Sequence, residues 1–169
     1  MTKRTLLFAV LALLLLGLAA IPAAATTPPG TGTPGYWKNH PEAWPVEGIC
    51  LNWDPYPTCA DGAWYPKDHA IALMGMPEKG DKTYTLFRAT IAAILNMYVG
   101  NDTSCLCLNE GCDQFLISFA RSWLVDHPPG SGVLGRDAAW QIDGEWKYEI
   151  LDAYNNGELC APSRDAMED

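Results

Sequence analysis

The residues with the most chemistry to offer lie together in GYWKNHPEAW, at positions 35–44. Tyr36, Trp37 and Trp44 supply flat apolar faces, and Lys38, Asn39 and His40 supply hydrogen-bonding groups between them. Aromatic rings beside such groups suit hydroxyl-rich ligands such as sugars, or an anchored protein partner. Lys38 and His40 can also contact a carboxylate or another anion. A competing structural reading has Tyr36, Trp37 and Trp44 plug the open end of a helical core, while Asn39 and His40 cap a turn. A catalytic reading makes His40 the general base or metal ligand of a small hydrolase, with an Asp or Glu as partner.

Other chemistries find less support. The histidines are His40, His69 and His127. Asp68-His69 and Asp126-His127 are adjacent pairs, and adjacent side chains diverge on a helix. HExxH is absent, so no metal site is expected; one buried or capping His and two exposed ones are. Ser131 lies in Gly-Ser-Gly, but Pro129 stands where a nucleophile elbow needs glycine. No phosphate loop, dinucleotide fingerprint or calcium loop occurs, and no cofactor is expected. With 20 acids, a pair of carboxylates at glycosidase spacing arises by accident and carries no information. Asn101-Asp102-Thr103 is a glycosylation sequon, meaningful only in a host that uses it.

Six cysteines remain: Cys50, Cys59, Cys105, Cys107, Cys112 and Cys160. Their even number reads as disulfides in an exported protein, and six allow fifteen pairings. Cys50 with Cys59 is the simplest pair, because the two bracket a Pro-rich loop. Cys160 is expected to tie the tail to the loop of Cys105, Cys107 and Cys112. A zinc site on Cys105-x-Cys107-x4-Cys112 matches the usual spacing poorly.

The elements that must position these residues follow from length and pattern. The chain has 169 residues, 49% of them apolar and 18% charged, which suits one folded domain. Lys3 and Arg4, an apolar run over 6–20, Pro22 and an Ala-rich cleavage site predict a signal peptide at 1–25. Removing it takes the net charge from −9 to −11, which disfavours nucleic acid and anionic membrane as partners. Residues 26–34, TTPPGTGTP, read as a flexible leader. Residues 35–169 then form one mainly α domain: about three main helices, a short fourth, and long disulfide-stapled loops. The main helical faces are Phe87, Ile91, Ile94, Leu95 and Tyr98; then Leu116, Phe119, Ala120, Trp123 and Leu124; then Trp146, Ile150, Leu151 and Tyr154. Asp81 is the strongest cap, Asp68 a weaker one, and Pro41 opens a short turn. No alternating run supports a strand.

GYWKNHPEAW resembles the signature of a group of uncharacterised secreted or surface-attached bacterial domains. Residues 70–96 and 151–162 are similar to later pieces of the same group. The resemblance implies a bacterial source and one compact exported domain, and it carries no assigned activity. The expectation is a secreted, extracellular, non-catalytic module that binds a glycan or a surface protein through the aromatic segment. The alternatives are the His40 hydrolase and a purely structural secreted protein.

Overall fold

The computed structural model describes residues 28–52, 59, 63–112 and 115–167. The expected signal peptide and the first two leader residues lie outside the described residues. The fold is the mainly α, disulfide-stapled domain that the pattern predicts. Its helices are α1 (Pro34–Asn39), α2 (Lys67–Met74), α3 (Lys82–Tyr98), α4 (Leu116–Asp126) and α5 (Glu145–Asn155).

Helix α3 is the hub, and it packs against α1, α2, α4 and α5. Twelve of its 17 residues are buried, from Thr83 to Asn96, so it is enclosed almost all round. Ala89, Ala92 and Ala93 keep its surface low, and neighbouring helices can approach closely. Asp81 starts it: the carboxylate accepts from the Thr83 N–H at 3.0 Å. The same carboxylate accepts from the Gly132 N–H at 2.9 Å, and the Thr83 hydroxyl oxygen accepts from the Gly130 N–H at 3.0 Å. The Gly-Ser-Gly loop is thus docked on the start of α3, with Ser131 exposed.

The three predicted faces are largely buried, with two exceptions. Tyr98 and Phe119 stand 46% and 42% exposed, each at the outer margin of its helix. Helix α5 is preceded by a π-helical segment, Ala139–Gly144, which carries the buried Trp140 into contact with Trp123 at 6.2 Å between ring centres. Asp68 lies in the first turn of α2 and does not cap it; Pro66 occupies that position.

A small antiparallel pair corrects the expectation of no strands. β1 (Gly48–Cys50) pairs with β2 (Trp64–Pro66), matching Ile49 with Tyr65. Three residues are too few to show an alternating pattern. Tyr65 packs on Phe87 of α3, which anchors the pair to the hub.

The disulfides are Cys50–Cys59, Cys105–Cys160 and Cys107–Cys112. Both expected links are there: the first closes the Pro-rich loop, and the second ties the tail to the loop after α3. Arg121 of α4 donates to the carbonyl of Cys50, tying the end of β1 to the bundle.

The leader assignment needs correction from residue 30 onward. Gly30, Thr31 and Gly32 are buried. Thr31 pairs with Ser163 in a parallel bridge, its N–H donating to Pro162 at 2.8 Å and its carbonyl accepting from Arg164 at 3.0 Å. The Asn101 amide donates to the Gly30 carbonyl at 2.9 Å. The Gly and Pro content that looks like a linker serves close approach instead. Gly30 has φ +81°, and a Cβ there would lie 2.7 Å from the Arg164 backbone. Asn101 is buried and engaged, so the folded domain does not offer its sequon to a glycosylating enzyme.

Candidate functional site

The GYWKNHPEAW segment is built from the inside outward. Thr33 caps α1, its hydroxyl oxygen accepting from the Tyr36 N–H at 3.1 Å, and Pro34 supplies the preset first position. The helix turns Trp37 inward to zero exposure. A buried indole needs a partner for its N–H. Asn96 of α3 provides it: its side-chain oxygen accepts from Trp37 Nε1 at 3.0 Å and from the Gly32 N–H at 2.7 Å. The Asn96 amide nitrogen donates to the Gly32 carbonyl at 3.0 Å and to Asn155 of α5 at 2.9 Å. Asn155 in turn donates to the Ala89 carbonyl at 2.9 Å. Trp44 follows a 3₁₀ turn, Pro41–Ala43, and donates its indole N–H to the Trp37 carbonyl at 2.8 Å.

Two of the six candidate binding residues are therefore core. Trp37 and Trp44 present no face to a ligand, and the plugging role describes both. Their types could not reveal this, because tryptophan serves cores and binding faces equally well.

The other four stay near the surface. Tyr36 of α1 and His40, the residue that ends the helix, lie on one side of the segment. Their rings stack at 4.5 Å between centres. The Arg164 guanidinium, from the segment that follows α5, lies 4.4 Å from the Tyr36 ring centre, a cation–π distance. His40 Nδ1 lies 2.9 Å from Glu42 Oε1. The Glu42 carboxyl is held below its usual range, first by a backbone N–H and then by His40. Both partners are well exposed, so water screens their attraction. Asn39 is exposed beside them, and Lys38 lies half-buried on the opposite side of α1.

His69 and His127 do not join this cluster. His69 neighbours Tyr65, and His127 stacks on Trp123 with Nδ1 3.1 Å from the Trp123 carbonyl. Among the described residues no three His, Cys, Asp or Glu side chains come together in a way that could hold a metal ion. No helix among them is long and apolar enough to cross a membrane.

Sequence reasoning missed Glu42, Asn96, Asn155 and Arg164. Asn96 and Asn155 had a readable signal, since each is a polar residue on or beside an apolar helical face. Arg164 had none, because its approach depends on the tail returning to α1. Comparison of the chain with protein-family models, curated proteins and solved structures finds no match.

Proposed function

We propose that this protein is an exported, extracellular, non-catalytic module that binds a cell-surface glycan through Tyr36, His40 and Arg164. One observation carries the reading: a partly exposed Tyr–His stack with a guanidinium over it, standing directly on the fully buried Trp37. Rings fixed on a rigid element give apolar contact to a sugar at little cost in side-chain order, and the flanking polar groups supply hydrogen bonds. The three disulfides fit an oxidising, extracellular setting.

The test is retention of the folded protein on envelope polysaccharide. Tyr36→Leu keeps an apolar side chain at the position, and Arg164→Gln removes the charge while keeping a polar amide. Each is expected to weaken retention about tenfold with an unchanged circular dichroism spectrum. Full retention of both variants refutes the assignment. The His40–Glu42 pair favours one other reading, a hydrolase. Turnover that disappears in His40→Ala at unchanged stability would establish it in place of simple binding.

A further inference from the structure

The far side of α1 borders a cleft of about 310 Å³, walled by Pro34, Gly35, Lys38, Met74, Gly75 and Arg88. That volume lies at the small end of ligand pockets, room for one sugar unit. The Lys38 ammonium makes no ion pair or hydrogen bond to any described residue, in a chain with 20 acids and 11 bases. Arg88 is fixed by Glu78 at 2.6 Å and by the Met76 carbonyl. Lys38, Arg88 and Glu78 together leave one net positive charge at the cleft.

The two glycines add an independent observation. Gly75 has φ −85° and ψ −11°, a conformation open to any residue. A Cβ at Gly35 would meet only Thr33 Oγ1 at 3.6 Å, and one at Gly75 only the carbonyls of Ala72 and Ile71 at 3.4 and 3.7 Å. Neither packing nor backbone conformation requires glycine at these positions. What glycine does there is keep two walls of the cleft bare.

We infer that this cleft takes the carboxylate-bearing unit of an acidic glycan, a uronate. Lys38 meets the carboxylate with Arg88 beside it. The bare backbone of Gly35 and Gly75 lets the ring come close, and Pro34 and Met74 face its apolar edge. A single net charge matches a carboxylate better than a doubly charged phosphate. The inference rests on the glycan reading above and names the class of glycan.

Calorimetry on the full exported protein, with a galacturonate tetramer and a neutral galactose tetramer as probes, tests it. The uronate is expected to bind about tenfold tighter, the ordinary effect of one charge-assisted hydrogen bond. Lys38→Gln is expected to abolish that preference while leaving the neutral tetramer unaffected. Gly75→Leu, at a backbone position that accepts it, is expected to weaken uronate binding with the fold intact. Equal binding of the two tetramers, or a preference that survives Lys38→Gln, overturns the inference. If both tetramers bind equally and Tyr36→Leu weakens both, the cleft is excluded and the glycan reading stands. If neither binds while polysaccharide retention still depends on Tyr36, the cleft is again excluded alone. Failure of retention as well removes both.

Discussion

Asn96→Ala gives the sharpest check on how α1 is held. The native side chain makes four hydrogen bonds, two to Gly32, one to Trp37 and one to Asn155. Truncation leaves four buried groups without partners: the Gly32 N–H and carbonyl, the Trp37 indole N–H and the Asn155 oxygen. At about 1–3 kcal/mol for each unsatisfied group, the unrelieved cost is about 4–12 kcal/mol. The space vacated is polar, and one water entering it can restore about three of those bonds. The expected loss is then about 3–5 kcal/mol, a large part of the 5–15 kcal/mol typical of a whole domain. Urea unfolding of the oxidised protein, followed by tryptophan fluorescence, reads it directly. With a slope of about 2 kcal/mol/M, the midpoint falls by about 2 M. Hydrogen exchange at the Gly32 amide is expected to accelerate at the same time. Asn96→Asp is a second probe, because it keeps the acceptor for Trp37 but turns an oxygen toward the Gly32 carbonyl and the Asn155 oxygen. A loss below about 1 kcal/mol in Asn96→Ala, with Gly32 protection unchanged, would refute the reasoning.

Two further outcomes follow from the stapling and the charges. From sequence separations of 55, 9 and 5, loop closure assigns about 4, 2.5 and 2 kcal/mol to Cys105–Cys160, Cys50–Cys59 and Cys107–Cys112. Paired Cys→Ser variants, compared by denaturant midpoint, are expected to lose stability in that order, and a reversed order would contradict the ranking. The Asp152 carboxyl is pushed above its usual range by burial and then by Glu158. The folded state thus holds that proton more tightly than the unfolded chain does. Ionised Asp152 subtracts stability at neutral pH, and the subtraction vanishes as pH falls below the ordinary carboxylate range. Asp152→Asn is expected to raise Tm at neutral pH and to change nothing at about pH 3, where the carboxyl is protonated in both states.

The main helices were legible because their apolar residues recur at helical spacing and their ends carry clear signals, Asp81 at one and Gly100 or Gly157 at others. Of the disulfides, Cys50–Cys59 was legible because its cysteines bracket a Pro-rich loop. The tie from Cys160 to the loop after α3 was legible only as far as the loop, because which of Cys105, Cys107 and Cys112 it meets is a tertiary fact. Helix α1 was not, since six residues opening at Pro34 give too little length for a period. The fate of Trp37 turned on one residue far away in sequence, Asn96, whose position opposite α1 is a tertiary fact, and Trp44 follows by bonding the Trp37 carbonyl. The leader was misread for a related reason. Glycine and proline mark a free linker and a tightly apposed strand alike, and only the return of the tail distinguishes them. The surface that remains of the candidate site depends equally on that return, because Arg164 arrives with the tail.

The Thr31–Ser163 bridge has a mechanical consequence. Its two segments run in the same direction, so the chain enters at one end of the pair and leaves at the other. Tension applied through the two ends pulls the segments past each other. Both backbone hydrogen bonds at Thr31 then bear load together, in shear, instead of opening in sequence as in a peeled hairpin. Behind them, Cys105–Cys160 sets a covalent stop on how far the tail can be drawn out. A domain attached by its ends between a cell and a surface would therefore yield first at this latch and keep its helical bundle under load.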